Sequence, residues 1–506
     1  MSNRAEALLR NAAELPEKTA LVFEGEAWSF ARLAEEASGR AAGLAAAGVR
    51  RGDKIGLMLA TRPEFILLQY GAFTLGAIVL PLNIHYRGAE IEYALASCDV
   101  DMLVIDAALA DRLQLGFRGR CPSVRNVVVL NGSTGLRGSA ADAPPPVQLN
   151  IDDVTLMLST SATTGKAKGV MLTVGNLETN YDHSPEWLGL RRDEIILCAL
   201  PLYNTFALNQ CINATMVLGG TMVLLPRFDA LICLETIERH GCTFFPSVPT
   251  MLQRVLHHPE VDRFNLRSLR RLCVGAAPVP APLLARVHER CAGDTVVITG
   301  YGLTEGTALV ATHAVALDEK GELVRAKSVG RALPGMTIAI LDQAGREVPF
   351  GTVGEICIRG PNVMKGYYNM PEATAEALAG GWLHTGDLGA MDPDGHFTIV
   401  DRKKDLIIRG GQNIYPADIE EVLYHHPAVA EAAVVPIPDA GLGEVPKAYV
   451  ALKPGRTATP EELLARCRDE LAYYKVPVAV DILPDLPKGP TGKILRRELR
   501  APVASL

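Results

Sequence analysis

At 506 residues the chain is several times the length of one domain, so two or more domains with large buried cores are expected. Its 48% hydrophobic and 21% charged residues exclude a disordered chain, and a formal net charge of −7 disfavours non-specific binding to nucleic acid or anionic membranes. The ten cysteines are scattered without a C-x-x-C pair, which suits neither a zinc site nor a disulfide framework and points to reduced, buried thiols in a cytoplasmic protein.

Residues 1–19 contain no apolar h-region and do not read as a secretory signal. Thr19–Phe23 is an apolar, strand-like run; Ser29 then caps an amphipathic helix predicted over 30–47 and closed by Gly48. Strands are predicted at 54–59, 77–80, 102–105 and 124–130. The most apolar run, Ile66 to Leu82, is short for a membrane span and holds Gln69 and Tyr70, so it reads as a buried helix followed by a buried strand. Residues 131–150, rich in Gly, Ser, Ala and Pro, read as an exposed linker.

From 154 to 299 a second series sets strands at 195–200, 221–225, 243–245 and 272–274 between helices, a pattern that predicts parallel sheets covered on both faces. Short, glycine-punctuated strands from 327 onward predict an antiparallel β subdomain. Beyond Asp401, Pro416 opens a helix that turns Ile419, Val422 and Leu423 inward, and Thr459-Pro460-Glu461-Glu462 forms a capping box, with strands at 432–437 and 448–452 between them. The fold class expected is α/β. A large N-terminal domain, residues 1–400, holds two βα-layered subdomains plus a β subdomain, and a small α+β domain follows over 401–506.

Two strings carry chemistry. Residues 159–169, Ser-Thr-Ser-Ala-Thr-Thr-Gly-Lys-Ala-Lys-Gly, follow an apolar strand and combine what a polyphosphate needs: close backbone N–H groups, donating hydroxyls and two lysines. No Walker A string occurs, which disfavours a P-loop kinase or GTPase. Gly300-Tyr301-Gly302-Leu303-Thr304-Glu305 follows a second strand, 295–299, at the kind of edge where open α/β sheets bind ligands. An aromatic there can stack on a purine, and a Thr–Glu pair can hold a metal and a phosphate.

Four further motifs follow in order: residues 381–387 (Gly-Trp-Leu-His-Thr-Gly-Asp), 401–405 (Asp-Arg-Lys-Lys-Asp), 410–416 (Gly-Gly-Gln-Asn-Ile-Tyr-Pro) and 488–494 (Lys-Gly-Pro-Thr-Gly-Lys-Ile). With these the chain resembles the adenylate-forming (AMP-binding) superfamily of acyl-CoA synthetases, firefly-type luciferases and peptide-synthetase adenylation domains, from Pro16 to Arg497. The resemblance implies that Thr160, Ser161, Thr163, Thr164, Gly165 and Lys168 bind the ATP phosphates. It places Thr304 and Glu305 at the phosphates and Mg²⁺, with Thr164 sharing the metal. Tyr301 and Gly302 would face adenine, and Gly275, Ala276 and Ala277 would flank it. Asp387 and Arg402 would bind the ribose hydroxyls, and Lys493 would reach the carboxylate and the α-phosphate. Asp401 would be the hinge of a mobile C-terminal domain, with Gly410 and Gly411 leaving a slot for the pantetheine of CoA. His384 is read as structural.

The implied acyl pocket is lined by Tyr181, Asn204, Thr205, Phe206, Ala276, Gly300, Gly302 and Gly306, whose small members leave room for a medium-chain or aryl acid. Three positions depart from the family pattern: Ala162 replaces a glycine and Ala167 a proline in the phosphate loop, and Asn204 replaces a histidine beside the acyl pocket. The activity implied is an AMP-forming acyl-CoA synthetase using ATP, Mg²⁺ and coenzyme A. Its partners are a small-molecule carboxylic acid, ATP and CoA, with a homodimer left open and neither nucleic acid nor a membrane span. Rival readings are a luciferase-like oxygenase acting on its own adenylate and a catalytically impaired nucleotide-binding homologue.

Overall fold

The computed structural model describes residues 3–114, 116–132, 135–159, 168–275, 281–320, 323–325, 328–488 and 494–500. They form two compact units, one of residues 1–338 with 358–383 and one of residues 339–357 with 384–506. The boundary expected at 400/401 falls inside the second unit, where Leu383–Met391 stays paired with Phe397–Arg402.

The first unit contains two sheets. In one, Gly366–Tyr367, Gly169–Thr173, Val154–Ser159, Ile78–Pro81, Lys54–Met58, Met102–Asp106 and Asn126–Leu130 lie side by side in that order. The last four are parallel to one another, as βα crossovers require, while Gly169–Thr173 returns antiparallel on Val154–Ser159. The second sheet runs Ser328–Ala332, Ala308–Val315, Val296–Leu303, Arg271–Val274, Phe244–Ser247, Ile195–Cys198, Thr221–Leu224, Thr19–Phe23 and Glu26–Ser29. Its centre is parallel and its two ends are antiparallel.

Local signals fall where expected. Ser29 accepts a hydrogen bond from Arg32 N–H (3.3 Å) at the start of helix Phe30–Ala46. The apolar run resolves into helix Pro63–Thr74, buried on nearly every face, and strand Ile78–Pro81. No helix of the described residues is long and apolar enough to cross a membrane. All ten cysteines are free and buried, and burial pushes the Cys233, Cys242, Cys273 and Cys291 thiols up to about 12, so they stay protonated and inert.

The predicted exposed linker is a correction. Residues 135–138 pack on helix Phe30–Ala46: the buried Arg40 guanidinium donates to the Gly135 carbonyl, and Gly138 N–H donates to Gly39 O at 2.9 Å. A Cβ on Gly43 would lie 2.2 Å from Leu136 O. The segment also forms a 3₁₀ turn at Ala140–Asp142. Small residues here permit close packing, which composition alone does not distinguish from looseness.

Thr337–Leu341, Gly354–Arg359, Leu383–Met391 and Phe397–Arg402, most of whose residues belong to the second unit, are successive neighbours. A second sheet orders Gln412–Ile414, Ile407–Arg409, Gly443–Leu452 and Val429–Asp439, with Val480–Leu483 parallel to Gly443–Leu452. Helix Pro416–Tyr424 buries Ile419, Val422 and Leu423 against this sheet, and the capping box at Thr459 opens helix Pro460–Glu470.

Candidate active site

In the first unit, the string after residue 299 is not a turn. The strand continues as Val296–Leu303 and pairs antiparallel with Ala308–Val315, irregularly between Tyr301 and Gly302. Glycine makes this approach possible: a Cβ would lie 1.7 Å from Ala308 O at position 302 and 2.6 Å from Ala311 O at position 300. On Gly306 it would meet Val310 Cγ2 at 2.9 Å. The room read at these glycines is therefore taken up, on the Cβ side, by the neighbouring strand. Tyr301 is buried in that pairing. Only afterwards does the chain turn, in the 3₁₀ turn Thr304–Gly306 that carries Glu305.

Glu305 is held from outside its own turn. Its carboxylate Oε1 accepts a hydrogen bond from the Tyr367 hydroxyl at 3.0 Å, and its carbonyl accepts Met364 N–H at 2.8 Å. The Lys168 ammonium lies 4.5 Å from the centroid of the same tyrosine ring. Lys168 precedes strand Gly169–Thr173, whose Gly169 pairs with Ser159. An oriented carboxylate is the hard oxygen donor that Mg²⁺ would take, and a lysine on the same tyrosine ring suits a polyphosphate, so these residues fit the metal–nucleotide pair. The remaining predicted phosphate-loop residues Thr160, Ser161, Thr163, Thr164 and Gly165, with Ala276 and Ala277, lie outside the described residues.

The residues predicted for the acyl pocket divide into two groups. The buried Tyr181 shares a 2.9 Å hydrogen bond with Thr205 Oγ1, and its backbone carbonyl accepts Asn213 Nδ2 at 2.6 Å. Arg4 braces this corner from behind through Asp182, at 2.6 Å. Burial and then the Thr205 contact govern the Tyr181 phenol, which is raised to about 12 and stays neutral. Phe206 packs its ring over Gly275, where a Cβ would lie 3.3 Å away. Asn204 precedes the short helix Thr205–Ala207.

In the second unit, Asp387 and Arg402 are cross-strand partners, Arg402 Nε lying 3.3 Å from Asp387 Oδ1. The Asp387 loop has its own brace. Glu355 accepts Gly386 N–H on Oε1 and contacts His384 Nδ1 and Lys403 Nζ through Oε2, each at 3.1 Å. Burial alone would raise the Glu355 carboxyl, but the bonds from His384 and Lys403 outweigh it and hold it below the usual carboxylate range. Glu355, Cys357 and His384 offer donor atoms within 4.8 Å of one another. Lys403 and Gly386 N–H also engage the carboxylate, so the cluster is tied together by hydrogen bonds.

Asp401 is buried, accepting Arg402 N–H (2.7 Å) on one oxygen and Ala417 N–H (3.1 Å) on the other. Gly410 and Gly411, with φ of +54° and +81°, form the two-residue connection between Ile407–Arg409 and Gln412–Ile414. Two consecutive positive φ angles are what a primed hairpin turn demands, a reason for glycine independent of any ligand. Beside Gly411 the space within 4 Å of a Cβ is open. Lys493 lies outside the described residues.

A family model described as AMP-binding enzyme matches residues 8–368, and one described as AMP-binding enzyme C-terminal domain matches 418–493. The chain belongs to the AMP-binding enzyme family. A feruloyl-CoA synthase from an Amycolatopsis species is 38% identical over 97% of this chain and 97% of its own length. A long-chain-fatty-acid–CoA ligase of Bacillus subtilis is 34% identical, covering 97% of this chain and 93% of its own. Among solved structures, the Bacillus subtilis o-succinylbenzoate CoA synthetase in complex with ATP and a magnesium ion superposes with a TM-score of 0.84 at 32% identity, covering 97% of this chain and 98% of that one. This AMP-binding enzyme is an ATP-dependent acyl-CoA synthetase that works through an acyl-adenylate and uses ATP, Mg²⁺ and CoA; the oxygenase and impaired-homologue readings are not favoured.

Two residues that brace predicted site positions, one in each unit, were not singled out in the sequence. Tyr367 and Glu355 act through partners 62 and 29 or more residues away, a separation at which no local spacing pattern exists. Thr385, inside a quoted motif, accepts Asp387 N–H at 3.1 Å while donating to Ile356 O at 2.7 Å.

Proposed function

We propose that this enzyme activates an aryl or medium-chain carboxylic acid, with an uncharged acyl pocket built around Tyr181, Asn204, Thr205 and Phe206. The observation that carries this reading is the Phe206 ring lying over Gly275, an apolar wall that rewards a flat or aliphatic group. The 38% identity to a feruloyl-CoA synthase supports the aryl alternative. None of the four carries a charge, so a second carboxylate or an α-ammonium on the acid would find no counter-ion among them.

The carboxylate attacks the α-phosphate in line, giving acyl-AMP and pyrophosphate; the CoA thiol then attacks the acyl carbon and releases AMP. Bringing two anions together is the obstacle in the first step. Glu305 and Thr164 would hold Mg²⁺, which would supply charge neutralisation on the phosphates. Lys168 and the hydroxyls of Thr160, Ser161, Thr163 and Thr304 position the polyphosphate, Asp387 and Arg402 anchor the ribose, and Lys493 offsets the negative charge at the attacked phosphorus. Asp401 is the hinge of the mobile C-terminal domain, 401–506, and Gly410 and Gly411 line the pantetheine slot. The family match to a C-terminal domain over 418–493 supports this division. A cytoplasmic location fits the ten free, buried thiols.

A panel of carboxylic acids, assayed for AMP release with and without CoA, tests the reading, with Lys493→Ala as control. Hydroxycinnamates and medium-chain acids are expected to lead. The control should lose about 10²–10³ in adenylation, by analogy with a lost oxyanion donor, yet still convert supplied acyl-AMP. Preference for malonate or an amino acid would overturn the pocket assignment.

A further inference from the structure

The short segment 364–368 touches both halves of the phosphate-binding apparatus. It is zipped to the strand leaving the phosphate loop: Gly366 pairs with Met171 and Tyr367 with Val170, Lys365 N–H donates to Met171 O (3.0 Å) and Tyr368 N–H to Gly169 O (2.8 Å). The same segment grips the Glu305 turn through Met364 N–H, and Tyr367 N–H is fixed by Thr374 Oγ1 at 2.9 Å. The Tyr367 backbone is therefore immobilised from three directions.

From that backbone the side chain meets two opposite charges on different surfaces. Its hydroxyl edge donates to Glu305, and its face carries the Lys168 ammonium. A carboxylate and an ammonium brought together would collapse into an ion pair, neutralising the two groups that Mg²⁺ and phosphate must use. The ring offers each group a partner of its own, a proton donor to the acid and a π face to the base.

We propose that Tyr367 is a positioning residue that holds Glu305 and Lys168 apart and oriented before Mg²⁺–ATP arrives. This rests on the reading of Glu305 and Lys168 as metal and phosphate groups.

The test uses the full chain with Tyr367→Phe, Tyr367→Leu and Glu305→Gln, reading the binding of a fluorescent ATP analogue across a Mg²⁺ titration, together with Tm and the KM for the carboxylic acid. Phenylalanine keeps the ring and loses the donor. Its Mg²⁺ half-saturation point should rise roughly tenfold or more, the effect of losing one hydrogen bond to a charged group, with Tm and acid KM unchanged. Leucine should in addition weaken nucleotide binding at saturating Mg²⁺, because Lys168 loses its seat. If Glu305→Gln shifts the Mg²⁺ titration and Tyr367→Phe stays within twofold of wild type, the proposal is overturned while the site reading stands. No shift in Glu305→Gln would remove the reading and the proposal together. A Tyr367→Phe variant that loses Tm and acid KM in parallel would show a merely structural tyrosine and also overturn it.

Discussion

A methyl group on Gly302 would have to share space with the Ala308 carbonyl oxygen, 1.7 Å from its ideal position. Backbone cannot swing aside as a long side chain can, so Gly302→Ala must part the two strands that deliver Glu305. Overpacking of this kind costs about 1–3 kcal/mol, and the displaced turn should weaken ATP binding as well. Denaturant unfolding and nucleotide titration check both effects; a variant with unaltered ATP affinity would mean that the Glu305 turn tolerates the shift. At this scale the sequence was informative about residue type and ambiguous about cause. Gly300, Gly302 and Gly306 were read as leaving room for a ligand, but close approach of a strand leaves the same mark. The Tyr367–Glu305 bond left no mark, because nothing in a chain announces which hydroxyl reaches a carboxylate 62 residues away.

Elements were read well wherever one local rule decided them. Ser29 and Thr459 cap the helices assigned to them through neighbouring N–H groups, and Pro416 opens its helix at the first turn, where its fixed φ suits the helix and its missing N–H is not needed. Long-range packing decided the rest. Helix Phe30–Ala46 carries Gly43 in its interior, where alanine ordinarily gains about 1 kcal/mol. Here the gain is outweighed, because the new Cβ would lie 2.2 Å from Leu136 O and 2.4 Å from Leu136 C, both backbone atoms. With an overpacking cost of about 3 kcal/mol at such distances, Gly43→Ala should lose about 2 kcal/mol net. Gly119→Ala supplies the contrast: it lies in the short helix Phe117–Arg120 with nothing within 4 Å of a Cβ, and should be neutral or mildly stabilising. Thermal unfolding of the pair decides the matter; equal shifts would mean residues 135–138 do not press on the helix. The same contact explains why 131–150 looked like a linker, since Gly-rich composition serves docking and disorder alike.

For the whole molecule, the α/β class was legible in the alternation of strands and helices and the enzyme family in six motifs standing in order, whereas the extent of each compact unit depends on pairings such as Leu388 with Asp401 that no motif encodes. Asp401 is where element and domain meet. Its carboxylate caps helix Pro416–Tyr424 through Ala417 N–H and binds Arg402 N–H, so rotation about its own backbone carries that helix along. Two substitutions separate the cap from the hinge. Asp401→Ala deletes the carboxylate and leaves φ free, costing roughly 0.5–2 kcal/mol as a lost cap and slowing both half-reactions alike. Asp401→Pro deletes the same carboxylate and also locks φ near −65°. If the two half-reactions need different backbone settings at this residue, proline should cost the thioester step at least about tenfold, or 1.4 kcal/mol of barrier, beyond alanine, while adenylation differs little between the variants. Pyrophosphate exchange measures the first step and conversion of supplied acyl-AMP the second. Equal losses in both steps from both substitutions would leave Asp401 a cap and nothing more, and would move the hinge elsewhere.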